Sequence, residues 1–168
     1  PPQETGLTYN SWYGKPHLEM HWWHGVHFAL WDRPELLEKS LPWYQKVFEK
    51  AKNIAKRQGF EGARWQKMTD PDGNESPSSV GAFLLWQQPH FITYADLIYQ
   101  AKPTKATLDL YGERVFETAN FMASFANYDA KTDRYVLGPG VIPAQERFNA
   151  MKTFNPTYEL AYWNWALK

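Results

Sequence analysis

Cysteine is absent from the sequence, which excludes disulfide bonds, thiolate zinc sites and a cysteine nucleophile. An excess of charge is absent too: 18 Lys and Arg balance 18 Asp and Glu, so nucleic acid is not expected as a partner. No apolar run approaches the ~18 residues that a transmembrane helix needs, so no membrane span is expected. These absences leave the compartment of the protein open.

Aromatic side chains, in contrast, are abundant, since the 168 residues include 9 Trp, 10 Tyr and 10 Phe. The length predicts one domain, and a hydrophobic fraction of 43% is enough for a packed core. Trp is so large that it is seldom fully buried, so the rings either fill a tight core or line a cavity. Flat apolar ring faces stack on sugar rings, which makes carbohydrate a candidate ligand.

Apolar periodicity predicts helices along most of the chain. One covers residues 18–31, and a second covers 35–58, where Pro42 kinks or divides it and Gly59 ends it. Further helices are predicted over 80–86, 90–100, 107–127 and 157–168. Paired helices that present loops at one end predict an all-α fold, as an α/α toroid or a part of one.

Two stretches of the chain lack helical periodicity. Residues 62–79 contain Pro71, Gly73 and Pro77, and they predict a long loop of the kind that often carries function. Residues 128–142 predict a small β-hairpin insertion whose second half lies near 134–142 and ends in Gly-Pro-Gly. A brief helical turn is predicted over 144–153.

The start of the first predicted helix carries a polar cluster within residues 15–24. Lys15, His17 and Glu19 offer hydrogen bonds to sugar hydroxyls, and Trp22 offers a flat platform. Alternatively, the three histidines of this segment share a helix face at a spacing seen in zinc sites, although the order H-x-E-x-H is not that of the H-E-x-x-H metalloproteases. A partly buried structural cluster is the third interpretation.

The long loop carries several charged residues next to a tryptophan. Trp65 is a candidate wall of a binding site, and Lys67, Asp70 and Glu75 are candidates for its rim. The spacing of the carboxylates does not match an EF-hand calcium loop. A solvated turn with Asx and N-cap roles is the alternative interpretation.

A rigid Gly/Pro segment over residues 138–146 ends in one carboxylate, Glu146. A general acid needs fixed placement and apolar neighbours that disfavour its charged form. Val141, Ile142 and Pro143 are the expected neighbours. A glutamate that complements the dipole of a helix start is the alternative.

At these residues the sequence resembles the catalytic domain of the six-hairpin (α/α)6-toroid glycosidases, the superfamily that includes glycoside hydrolase families 65 and 95. Residues 15–23 share a Leu-x-Met-x-aromatic-Trp frame with family 95, which has Asn where this chain has Lys15 and His17. Residues 62–101 resemble the loop and helix that follow in both families. Residues 117–168 are similar to the family 65 stretch that carries the general acid, and Pro-Ala-Gln-Glu, ending at Glu146, occupies its place.

This resemblance implies that residues 1–168 are a single domain, an internal fragment of about half the toroid of a glycosidase. The implied reaction is hydrolysis of a glycosidic bond with inversion, with Glu146 as the acid and the base downstream of Lys168, so that the fragment alone is expected to be inactive. The expected partners are a carbohydrate substrate and the remainder of the catalytic domain, with no metal and no cofactor. A glycoside phosphorylase, a non-catalytic carbohydrate-binding module and a purely structural helical domain are the alternatives. The residues implied to hold the sugar are Lys15, His17, Glu19, Trp22, Trp65, Lys67, Asp70 and Glu75.

Overall fold

The structure, a computed structural model, describes residues 16–168. Within this range the fold is mainly α, as the periodicity predicted, with one antiparallel hairpin made of β1 (Asn127–Asp129) and β2 (Arg134–Val136). No helix in the described part is long and apolar enough to cross a membrane. The helices are α1 (Leu18–Leu30), α2 (Pro34–Glu38), α3 (Pro42–Lys46), α4 (Phe48–Arg57), α5 (His90–Ala101), α6 (Lys105–Phe125) and α7 (Thr157–Ala166).

Prolines divide the helix predicted over 35–58 into three. α2 and α3 begin at Pro34 and Pro42, because a fixed φ and a missing N–H are both tolerated in the first turn of a helix. α4 ends at Arg57, and Gly59 follows with a φ of +86°, as expected of a terminating glycine. The apolar stripe of the segment is buried as predicted, through Leu37, Leu41, Tyr44, Phe48, Ala51 and Ile54.

The helix predicted over 80–86 is wrong. Only a single 3₁₀ turn forms, at Gly81–Phe83, and the chain then lies beside residue 142, where Leu84 and Ile142 form a parallel bridge. The Ile142 N–H donates to the Phe83 carbonyl at 3.0 Å. Leu84, Leu85 and Trp86 are all buried, so the segment has no solvent face of the kind a surface helix needs.

The hairpin is shorter than predicted, and the helical turn over 144–153 does not form. The second strand ends at Val136, because Leu137 and Val141 leave the hairpin and enter the core against α6 and α7. Glu146 and Phe148 have φ values of +58° and +78°, and these left-handed residues interrupt any helical path through the segment.

The starts of α1 and α5 lie side by side, with α7 next to them. Trp22 of α1 stacks on His90, the first residue of α5, with ring centroids 5.1 Å apart. The Tyr162 ring of α7 lies 6.0 Å from Trp22, and its hydroxyl hydrogen-bonds to His90 Nδ1 at 2.9 Å and to Thr93 at 2.7 Å. Trp86, just before α5, also contacts Tyr158 in the first turn of α7. The segments that lead into these three helices therefore meet at one end of the fold.

At Gly62 the chain passes close against the backbone of α6. Its φ is +69°, and a Cβ there would lie 2.2 Å from the Glu117 carbonyl oxygen. We expect Gly62→Ala to lower the free energy of unfolding by about 2 kcal/mol or more, from backbone strain and a clash that α6 cannot relieve. Gly59→Ala is the matched control, since its φ is +86° with no atom within 4 Å, and strain alone costs it about 1 kcal/mol. Urea unfolding followed by circular dichroism measures both, and equal losses would contradict the role given to α6.

Candidate functional site

A buried ammonium group, that of Lys67, lies between two carboxylates. Lys67 Nζ is 3.1 Å from Glu19 Oε1 and also contacts Glu146 Oε1. The Lys67 side chain is 7% exposed, against 15% for Glu19 and 39% for Glu146. Three of the residues singled out from the sequence are thus brought together, including two carboxylates that are 127 positions apart (146 − 19).

Backbone pairing between the long loop and the chain before α1 places Lys67 beside Glu19. The Lys67 carbonyl accepts from the Leu18 N–H at 2.9 Å, and the Thr69 N–H donates to the Pro16 carbonyl at 3.0 Å. The first of these bonds satisfies one of the N–H groups that a helix start leaves unpaired. Glu19 lies in the first turn of α1, where a negative charge also complements the helix dipole. His17 Nδ1 is 3.8 Å from Glu19 Oε1.

Glu146 is held by a tight turn that is anchored in the core. Its N–H donates to the Pro143 carbonyl at 2.9 Å, and its φ of +58° is uncommon for a residue other than glycine. Val141 and Ile142 are fully buried, and the Glu146 carboxylate faces the Lys67 ammonium. This corrects the expectation of an apolar surrounding for the carboxyl, because the apolar side chains of the segment point into the core instead.

Opposite charges keep Lys67 protonated despite its burial. Burial alone would lower the pKa of Lys67, but the hydrogen bonds and charges of Glu146 and Glu19 outweigh it and raise that pKa. Lys67, Glu19 and Glu146 together offer hydrogen-bond donors and acceptors.

A second buried cation, that of Arg64, fixes the loops behind the site. Its guanidinium donates to the carbonyls of Trp65 at 2.9 Å and Leu84 at 2.7 Å, and to Gln88 Oε1 at 3.3 Å. Gln88 in turn accepts from the Trp65 N–H at 2.9 Å and donates to the Ala63 carbonyl at 2.8 Å. This network joins the segment that leads to Lys67 to the segment that leads to α5.

Two buried histidines near the site are held neutral. Ser40 Oγ donates to the Leu37 carbonyl at 2.7 Å, so it accepts from His21 Nε2 at 2.6 Å, and His21 Nδ1 accepts from the Tyr44 hydroxyl at 3.0 Å. Burial lowers the pKa of both His21 and His90 to about 3. Because both of its ring nitrogens are hydrogen-bonded, His21 has a structural role. Within residues 16–168 no group of three or more His, Cys, Asp and Glu side chains is placed to bind a metal ion.

Two of the predicted rim residues support the loop rather than the Lys67 cluster. Asp70 Oδ1 accepts from the N–H groups of Asp72 and Asn74, both at 2.8 Å, which is the Asx-turn alternative. Slight burial would raise the pKa of Asp70, but these hydrogen bonds with those of the Asn74 side chain lower it. Glu75 pairs with Arg57 at the end of α4 at 2.6 Å. Neither carboxylate joins Lys67.

The predicted aromatic walls divide into one residue near the site and one in the core. Trp22 is half-buried between His90 and Tyr162, next to the turn that carries Glu19. Trp65 is 2% exposed, its Nε1 donates to Thr118 at 2.8 Å, and it packs edge-on against Tyr44, so we correct the expectation that its face contacts sugar. Lys15 lies outside the described residues.

Some residues of the site region were missed from the sequence. Arg64 was overlooked because a single arginine in a loop is usually solvated, whereas in the fold its guanidinium is buried against the carbonyls of Trp65 and Leu84. Glu159 was overlooked although it is an isolated carboxylate in the otherwise apolar or aromatic helix start Thr-Tyr-Glu-Leu-Ala-Tyr-Trp. That isolation was the available signal.

Comparison with known proteins leaves the family open. No protein-family model matches this chain, and no curated protein sequence matches it either.

Acid should destabilise the fold through His21 and His90. In the folded state both histidines have a pKa of about 3, below the ordinary value of 6.5. The unfolded chain therefore binds protons at a higher pH than the folded chain does. The stability that is present above pH 6.5 is lost as the pH falls toward 3. We expect a loss of about 1.4 kcal/mol per pH unit for each histidine below its unfolded pKa. Urea unfolding between about pH 7 and pH 5 should show this slope. In His90→Gln the slope should be about half of that, and an unchanged slope would mean that His90 is not the titrating group.

Proposed function

We propose that this chain forms part of the catalytic domain of an inverting glycoside hydrolase, built as an (α/α)6 toroid. The observation that carries the proposal is the meeting of Glu19 and Glu146 at the buried Lys67 ammonium. Glu19 is three residues before Trp22 on α1, and the half-buried Trp22 ring stacks on His90 at the start of α5. A placed carboxyl that can act as the acid, polar groups beside it and an aromatic wall suit the binding and cleavage of a sugar.

In this proposal Glu146 protonates the leaving oxygen, and a carboxylate in the downstream hairpins activates water from the opposite face. An ammonium in contact with a carboxylate stabilises the anion, whereas a general acid must carry a proton. We infer that substrate separates the Lys67–Glu146 pair and that Lys67 then stays with Glu19. The exposures agree with this order, since Glu146 is the more open of the two carboxylates.

The remaining polar groups of the cluster hold the reacting sugar. Glu19 and Lys67 offer an acceptor and a donor within 3.1 Å of each other, a pair that can bind neighbouring hydroxyls. In the proposal His17, Trp22 and Lys15, the last of which lies outside the described residues, also contact the sugar. The backbone bonds from Leu18 N–H to the Lys67 carbonyl and from Thr69 N–H to the Pro16 carbonyl hold the Lys67 loop against the start of α1 before a ligand arrives.

Phosphorolysis is the alternative reaction, in which a phosphate dianion takes the place of the attacking water. Phosphate dependence of turnover would favour it over hydrolysis.

The rest of the proposed toroid has an apolar surface to pack against. Large apolar side chains are exposed on α6, at Leu108 and Phe116, and at the end of α1, at Leu30 and Trp31. Exposed patches of this kind are uncommon on a monomer unless a partner covers them. This supports the expectation that further hairpins of the catalytic domain contact the chain.

Replacing Glu146 tests the catalytic assignment in a protein that includes the remaining hairpins. Glu146→Gln keeps shape and hydrogen bonding but cannot donate an acidic proton, so kcat on natural glycosides should fall roughly 10²–10⁴-fold with binding largely kept. A glycosyl fluoride needs little protonation of its leaving group and should lose much less. Steady-state kinetics on both substrate types measures the contrast.

Glu75→Gln is the matched control, because Glu75 is paired with Arg57 and has no contact with Lys67. Its kcat and KM should stay near those of the unmodified protein. Natural substrate turned over at the normal rate by Glu146→Gln would remove the hydrolase assignment. Sugar binding without hydrolysis would then favour a binding module, and neither would favour a structural domain.

A further inference from the structure

Three aromatic side chains of α7 form a row that the reaction above does not use. Tyr158, Tyr162 and Trp165 follow one another at intervals of four and three residues, so they share one face of the helix. Tyr158 and Trp165 are 47% and 49% exposed, so about half of each side chain is accessible to a ligand. We call these three residues the α7 row.

Each exposed ring of the α7 row is held by a more buried ring. Trp165 stacks on the partly buried Tyr162, with ring centroids 6.0 Å apart, and the Tyr162 hydroxyl is fixed by its hydrogen bonds to His90 and Thr93. Tyr158 meets the buried Trp86 ring edge-on at 5.9 Å. The exposed rings are therefore placed before a ligand arrives, which lowers the entropic cost of binding.

The spacing of the two exposed rings matches an extended sugar chain. Tyr158 and Trp165 are seven positions apart (165 − 158), which corresponds to about 10.5 Å along the helix axis. In an extended β-(1→4)-linked glycan every second sugar presents the same face, and two sugar units span a similar length. An α-(1→4)-linked chain coils instead, so its sugar faces do not line up along a straight helix.

The tilt between the rings favours a single chain over a flat polysaccharide surface. The ring planes of Tyr162 and Trp165 differ by 26°, whereas those of Tyr158 and Tyr162 differ by 60°. A crystalline polysaccharide face would need all of these rings in one plane. A single chain can twist about its linkages, so that successive sugars follow rings of different tilt.

The α7 row adjoins a ring that the proposed function already places against sugar. The Tyr162 ring lies 6.0 Å from the ring of Trp22. We propose that the α7 row binds a single extended β-(1→4)-linked glycan chain, so that the substrate is a polysaccharide rather than a disaccharide. This proposal rests on the proposed function, because it takes the ligand class from that reaction.

Other occupants fit the α7 row less well. The only charged side chain of α7 is Glu159, which is buried, so a highly charged partner would find no opposite charge on this helix. A second protein helix would bury the polar edges of the Tyr and Trp rings in an apolar contact, whereas sugar hydroxyls can hydrogen-bond them. A second copy of the chain is retained as an outcome of the test.

The test uses direct binding to the chain, which does not require turnover. Cellohexaose and mannohexaose are titrated by isothermal calorimetry as extended chains, maltohexaose as a coiled chain, and cellobiose and mannobiose as short ones. At least one extended hexaose should bind about tenfold or more tighter than its disaccharide and than maltohexaose, because only a longer extended chain reaches both rings.

Substitutions of the exposed rings locate that binding. Trp165→Ala and Tyr158→Ala should each weaken it about tenfold, since each removes one stacking surface. Trp23→Ala and Tyr128→Ala are the matched controls, because these rings are 63% and 56% exposed on α1 and on the hairpin, and neither variant should change binding. All four variants should unfold at the same urea concentration as the unmodified chain.

Several outcomes would overturn the glycan assignment of the α7 row. They are binding of neither extended hexaose, equal binding of maltohexaose, binding unchanged by both Trp165→Ala and Tyr158→Ala, and stronger retention on crystalline cellulose than on a soluble glycan. Self-association that Trp165→Ala abolishes would assign the row to a second copy. If the α7 variants lose binding but Glu146→Gln hydrolyses at the normal rate, the row stands and the proposed reaction fails. The reverse pattern retains the reaction and removes the row.

Discussion

The buried guanidinium of Arg64 is the interaction on which the site depends. It donates to carbonyls of two non-helical segments, at Trp65 and Leu84, and Gln88 completes the junction from the start of α5. Lys67 lies three residues after Arg64, and Leu84 pairs with Ile142, just before the turn that carries Glu146. One cation therefore fixes both segments whose side chains meet in the Lys67–Glu146 pair. Burial lowers the pKa of Arg64, a cost that its hydrogen bonds to oxygen atoms offset.

The two buried cations, Lys67 and Arg64, are stabilised by different kinds of partner. Lys67 is compensated by two carboxylates, whereas Arg64 is satisfied mainly by neutral carbonyl and amide oxygens. Glu146 is the more exposed of the two carboxylates, whereas the oxygen atoms that Arg64 contacts are buried. In the proposed function Lys67 and its partners therefore contact the ligand, and Arg64 and Gln88 position them.

Sequence patterns predicted most of the helices, but they failed where the local conformation depends on a contact with a segment far along the chain. α5, α6 and α7 follow their apolar periodicity, and Pro42 and Gly59 act at the positions where local conformational preferences place them. Residues 84–86 are apolar in a run, and the sequence does not reveal that they pair with Ile142.

The candidate site was predictable only in part, because the sequence shows which residues are charged or aromatic but not which of them meet. Glu19, Lys67 and Glu146 stood out as charged residues at a helix start, in a loop and after a rigid segment, and they converge. Trp65, Asp70 and Glu75 stood out equally, yet one ring is in the core and both carboxylates stabilise the loop. Arg64 could not be assigned, because burial of a charged residue depends on segments far along the chain.

The Lys67–Glu146 pair closes a loop of 79 residues, whereas the helices close theirs within four. Contacts between residues so far apart form late in folding, because the chain loses conformational entropy on closing the loop before the contact contributes any favourable energy. The same ordering applies in reverse when a protein is heated, because weakly held loop contacts open below the temperature at which helices unfold. Heating is therefore expected to undock the Glu146 turn from Lys67 before helicity is lost.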